Sequence, residues 1–153
     1  MMKRPRARSD SASRPDRGGS SLAPPAVTNN ALILVVERDP HVKKLERFFL
    51  EQAGFTVEFA DGGVQGLERA RALKPRIVVT EILLPGLDGL SVCRSIRSDP
   101  AMRHMLVLVF SILSAEQRAL DAGADAFLKK PLDDARLVET VNELLRKGSE
   151  ARS

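Results

Sequence analysis

The chain has a single cysteine, Cys93, among its 153 residues, so no internal disulfide can brace it. Cys93 stands with Leu90, Val92 and Ile96 in a stretch of helical spacing, which assigns it to core packing rather than reactive chemistry. Long hydrophobic runs are also lacking. The longest, Ala31–Val36 and Met105–Phe110, fall far short of the roughly 20 apolar residues that span a bilayer. They read as buried strands, with no membrane insertion. Nothing before Ala31 resembles the apolar centre of a secretory signal, which predicts a cytoplasmic location. His41 and His104 have no metal-ligand spacing to other His or Cys residues, so no zinc enzyme is indicated. Gly-x-Gly-x-x-Gly and Walker loops are absent, which argues against a dinucleotide or nucleotide binder.

Acidic and basic residues are both plentiful, and the net charge is +4. That excess lies entirely in residues 1–30, where Lys3, Arg4, Arg6, Arg8, Arg14 and Arg17 face only Asp10 and Asp16. The remainder is neutral, which predicts no direct nucleic-acid binding. Residues 1–30 are rich in Ser, Pro, Gly and Ala and hold almost nothing that could bury apolar surface, so a disordered tail is expected there. Residues 31–148 are expected to form one domain and 149–153 a flexible end, since a chain of this length and 43% hydrophobic content supports one ordinary core.

From Ala31 onward, short apolar runs alternate with amphipathic stretches in five successive units. The expected strands are 31–36, 55–59, 76–80, 105–110 and 126–129. Asp39-Pro40 starts the first helix, with Val42, Leu45, Phe49 and Ala53 as its apolar face and Gly54 at its end. The second helix carries Val64, Leu67 and Leu73. Asp88 caps a third, bearing Leu90, Cys93 and Ile96. A short fourth starts at Ser114, whose spacing to Gln117 fits a capping box, and ends at Gly123. Asp133 or Asp134 opens the last, with Leu137, Val138, Val141, Leu144 and Leu145 in one stripe. Continuous apolar strands alternating with helices imply a doubly wound α/β fold, a five-stranded parallel sheet with five helices covering both faces. Functional residues in such a sheet gather at the carboxyl ends of the strands, near the reversal of strand order. Here those are Glu37 and Arg38, Glu81, Ser111, and Lys130 before Pro131.

Three segments carry a resemblance: Leu34-Val35-Val36-Glu37-Arg38-Asp39-Pro40; Ile77-Val78-Val79-Thr80-Glu81 with Pro85 and Asp88-Gly89; and Gly123-Ala124-Asp125-Ala126-Phe127-Leu128-Lys129-Lys130-Pro131. In order and spacing they resemble a response-regulator receiver domain of the chemotaxis-regulator kind, over about 31–147. The resemblance implies strand order 2-1-3-4-5 and a two-component or phosphorelay signalling role without enzymatic activity of its own. It further implies that two adjacent acids after the first strand and an aspartate after the third hold magnesium, and that this aspartate accepts phosphate. Arg38 replaces the second acid and Glu81 the acceptor, so the chain is expected to be an atypical pseudo-receiver that binds no magnesium and has no other cofactor. Glu37 and Glu81 would balance Arg38 and Lys130 unaided, and Arg38 is expected to pair with one of the glutamates where the metal would lie. The resemblance makes Ser111 a phosphoryl contact and Phe127 a switch aromatic, for which plain core packing is an equal reading. Glu81 is then either a standing mimic of the phosphorylated acid or half of a structural ion pair. Expected partners are proteins, among them a sensor histidine kinase or a downstream effector, and dimerisation stays open. Alternatives are a regulator that is phosphorylated despite the substitutions, or a scaffold.

Overall fold

The computed structural model describes residues 31–131 and 134–152. Expectations about residues 1–30 and the side chains of Asp133 and Asp134 lie outside the described residues. Five β-α units follow one another: β1 (Leu32–Val36), α1 (Pro40–Gln52), β2 (Thr56–Ala60), α2 (Gly63–Leu73), β3 (Ile77–Thr80), α3 (Gly89–Ser98), β4 (Leu106–Ser111), α4 (Glu116–Asp121), β5 (Ala126–Lys129) and α5 (Asp134–Arg152). The strands form one parallel sheet in the order β2-β1-β3-β4-β5.

Because strand side chains alternate, each apolar strand feeds two cores. Leu34, Val36, Val78, Val107 and Val109 pack on one face with Leu67, Ala70, Val92, Cys93, Ile96 and Ala119 from α2, α3 and α4. Ile33, Val35, Ile77, Val79, Leu108 and Phe110 pack on the other with Leu50, Leu137, Val141 and Leu145 from α1 and α5. Each fully buried Ile, Leu or Val contributes about 1.5–3 kcal/mol. Burial also pushes the Cys93 thiol up to about 11, as suits a packing residue.

The expected starts of α1 and α3 are found. Asp39 accepts from the amides of His41 and Val42 at 2.8 and 3.3 Å, and Asp88 accepts from Ser91 at 2.9 Å. Gly54 follows α1 with φ +100°, a conformation that favours glycine.

Two expectations are corrected. Ser114 does not cap α4; Ala115 occupies that position with no side-chain bond, and the Ser111–Ser114 turn delays the helix to Glu116. α5 extends through Arg152, with no proline after Lys147 to stop it. On α1, Leu45 is 56% exposed while Glu46 is buried. The helix turns inward along Val42, Glu46, Phe49 and Leu50, because its apolar residues span more than one face and the sheet selects the phase.

Candidate functional site

Parallel pairing brings the ends of β1, β3, β4 and β5 together. Val36 is in register with Thr80, Thr80 with Val109 and Ser111 with Lys129. The next residue on three of these strands therefore carries a charge toward one point: Glu37, Glu81 and Lys130. Backbone hydrogen bonds fix the turns, from Glu37 N to Ala60 O at 2.9 Å, Glu81 N to Val36 O at 3.0 Å and Lys130 N to Ser111 O at 2.8 Å. Behind Glu81 the loop folds back so closely that a Cβ on Gly89 would lie 2.1 Å from the Glu81 carbonyl oxygen, which requires glycine there.

Lys130 is the centre. Its Nζ donates to Glu37 Oε1 at 2.5 Å and to Glu81 Oε1 at 3.1 Å, and all three side chains are buried. The ammonium also lies 5.2 Å from the Phe110 ring centroid. Burial alone would lower the Lys130 pKa, but the Glu37 hydrogen bond and charge, followed by the Glu81 charge and hydrogen bond, carry it above the ordinary lysine value.

Glu81 is held on both oxygens. Oε2 accepts from the Ser111 hydroxyl and from the amides of Ile82 and Leu83 at 2.6 and 3.2 Å. Oε1 accepts from Lys130 and, at 3.4 Å, from the Ile112 amide. Burial pushes its pKa up, yet Ser111, Lys130 and the Leu83 amide outweigh that and hold the carboxyl below its usual range. Glu37 turns its second oxygen to the amides of Arg38 and Asp39 at 3.1 and 3.0 Å.

Of the residues expected at the site, Glu37, Glu81, Ser111 and Lys130 converge. Arg38 does not: its side chain is exposed at the rim of an open cleft of ≈490 Å³ that also involves Asp39, His41, Leu83 and Ile112. The expected ion pair between Arg38 and a glutamate is replaced by Lys130, which reaches both carboxylates from inside, while the β1 turn directs Arg38 outward. Phe127 also lies apart. It is in register with Val109 and packs, half-buried, against the α2–α4 core.

Two residues not anticipated from the sequence matter here. Glu46, on α1, is 4% exposed, and the charges of Lys130, Glu37 and Glu81 act on it. Arg97 joins α3 to two loops, donating to the carbonyls of Gly123, Arg103 and Met105 and to Asp125. The available signals were an acid at an inward α1 position and an arginine within a largely apolar α3.

A five-stranded 2-1-3-4-5 sheet whose carboxyl edge gathers acids, a hydroxyl and a lysine defines a receiver-type signalling domain. The chain belongs to the response regulator receiver domain family, whose model matches residues 33–142. It is 36% identical over 115 residues to the transcriptional regulatory protein CseB of Streptomyces coelicolor, covering 75% of this chain and 49% of that protein. It is 40% identical over 116 residues to the response regulator MprA of Mycobacterium ulcerans, covering 75% and 50%. The chain thus spans about half the length of these curated relatives. A crystal structure of a putative response regulator from Chloroflexus aurantiacus superposes with a TM-score of 0.74 at 28% identity, covering 76% of this chain and 98% of that one. Among the described residues, no helix is long and apolar enough to cross a membrane.

Proposed function

We propose that this chain is a two-component signalling module whose receiver site is filled by its own Glu81, and that it acts through protein contacts without magnesium-dependent phosphorylation. The observation that carries the reading is the convergence of the Ser111 hydroxyl, the Lys130 ammonium and the Leu83 and Ile112 amides on one carboxylate. With the Ile82 amide, these five donors from the ends of three strands form a cradle suited to an oxyanion group. The extra methylene of a glutamate carries its oxygens into that cradle, where an attached phosphoryl group would otherwise place its own. The mimic reading is favoured over a bare structural ion pair because Lys130 alone would satisfy the pair, whereas Ser111 and three amides also bind Glu81.

The donor set does not suit magnesium. The ion wants near-octahedral oxygen ligands at about 2.1 Å, while Glu37 and Glu81 are committed to Lys130 and to backbone amides, and Arg38 stands where a further acid would be needed. Among the described residues, no group of three His, Cys, Asp or Glu side chains could hold a metal ion. The partners of such a module are proteins, a sensor kinase or an effector, met through surfaces that a fixed site holds in one state.

The test is an amide NMR spectrum of the full chain before and after adding magnesium with beryllofluoride, a phosphoryl mimic. Unchanged resonances at Glu37, Glu81, Ser111 and Lys130 support the proposal. Saturable shifts there, spreading to Phe127, would show a site that still accepts the mimic and would overturn it.

A further inference from the structure

Glu46 is an acid at a position where a core-facing helix ordinarily places an apolar side chain. It is 4% exposed, and its Oε1 has no hydrogen-bond partner among the described residues. An ionised carboxylate in that setting is cut off from most solvent and has one oxygen without a donor, and burial pushes its pKa up to about 8. The charges acting on it are Lys130, which favours ionisation, and Glu37 and Glu81, which oppose it. Those are the three charged members of the site. The core that Leu50 of the same helix enters is built of apolar groups, among them Val35 from β1, Val57 from β2, and Leu137 and Val141 from α5.

We infer that Glu46 is a proton-binding site coupled to the Glu37–Lys130–Glu81 cluster, so that a change of charge at the carboxyl edge of the sheet is accompanied by proton uptake or release within the domain. Removing a negative charge from the cluster favours the carboxylate, and its proton leaves for solvent. Adding negative charge, or losing Lys130, retains the proton. This deepens the filled-site reading by naming a regulation of the same site, and rests on it only in taking Glu81 as the resident anion.

The experiment is a titration of the glutamate side-chain carboxyls by carbon NMR on the full chain between pH 4 and 9, with Glu46 assigned from Glu46→Gln. The expected midpoint for Glu46 lies well above 6 in the native chain and falls by at least half a unit in Glu81→Gln. Glu37→Gln, which removes the other neighbouring negative charge, gives the same direction and serves where Glu81→Gln does not fold. A native midpoint in the ordinary range near 4–5, or one that moves in neither variant, overturns the inference. Magnesium and beryllofluoride are absent from this titration. A chain that took up the phosphoryl mimic would therefore overturn the filled-site reading while leaving the Glu46 midpoint standing, and an ordinary midpoint would do the reverse.

Discussion

Replacing Glu46 by Gln tests whether a buried acid limits the stability of this domain. Gln matches the neutral acid closely in shape but never ionises, so any pH-dependent difference between the two chains reports the Glu46 proton. In the folded chain that carboxyl is held up to about 8, against 4.5 for an ordinary glutamate. Between those values the native state binds a proton that the unfolded state has released, so stability falls as pH rises. The slope is about 1.4 kcal/mol per pH unit at full occupancy. Relative to its value near pH 4.5, the advantage of Glu46→Gln should grow by about 3 kcal/mol at pH 7 and level off above pH 8 at about 4 kcal/mol. In thermal terms the gain at pH 7 is on the order of 10 °C for a domain of this size. Urea denaturation of both chains at half-unit steps from pH 5 to 9 measures the difference directly, and any constant cost of the buried amide cancels in the slope. A difference flat with pH would refute the reasoning, because it would mean that the native chain ionises Glu46 as readily as the unfolded one.

Other expectations follow from the same contacts. Lys130→Met leaves Glu37 and Glu81 buried without their shared cation and should cost about 3–5 kcal/mol in chemical denaturation; a loss under 1 kcal/mol would show that the carboxylates find other partners. Arg38→Ala should change stability by less than about 0.5 kcal/mol, since the side chain is exposed at the cleft rim, and a large loss would restore the ion pair expected from the sequence. Arg97→Ala removes donors from three carbonyls and Asp125 and should cost about 2 kcal/mol, with hydrogen exchange rising first around Gly123–Asp125.

Much of the fold could be read from the sequence because its determinants are local. Runs such as Leu32–Val36 and Leu106–Ser111 are too apolar to be anything but doubly covered strands, and Asp39 and Asp88 start their helices through bonds to amides two and three residues on. The ends of β1, β3, β4 and β5 follow from that alternation, so Glu37, Glu81, Ser111 and Lys130 could be named as site residues. Their pairing could not. Whether Arg38 or Lys130 meets the glutamates depends on the direction in which the turn after β1 throws a side chain, and a linear pattern does not encode that direction. Glu46 escaped for a related reason. The α1 residues Val42, Leu45, Phe48, Phe49 and Leu50 occupy too broad an arc to fix the helix phase, and only packing on the sheet decides that Leu45 faces out and Glu46 in. Arg97 binds carbonyls contributed by separate loops, which come together only in the folded chain.

In the proposed reading, Arg38 and Glu81 are the substitutions that keep this site from holding magnesium and accepting phosphate, and each would block a different requirement. Glu81 fills the cradle: with its carboxylate on Ser111, Lys130, Leu83 and Ile112, an incoming phosphoryl group finds the donors engaged. Glu81→Asp withdraws the oxygens by about one C–C bond, more than 1 Å, which is enough to misplace groups for in-line transfer or to clear space for them. That change alone leaves the metal one acid short and an exposed guanidinium at the rim. Arg38→Asp alone supplies the acid but leaves the cradle occupied. If both readings hold, neither single variant should show saturable beryllofluoride-dependent shifts with magnesium, and Arg38→Asp combined with Glu81→Asp should show them at Ser111 and Lys130. A response from Arg38→Asp by itself would mean that Glu81 yields its donors readily, so the resident carboxylate would be a structural ion pair and not a standing mimic. A response from Glu81→Asp by itself would mean that the cradle, and not the metal ligands, sets the limit.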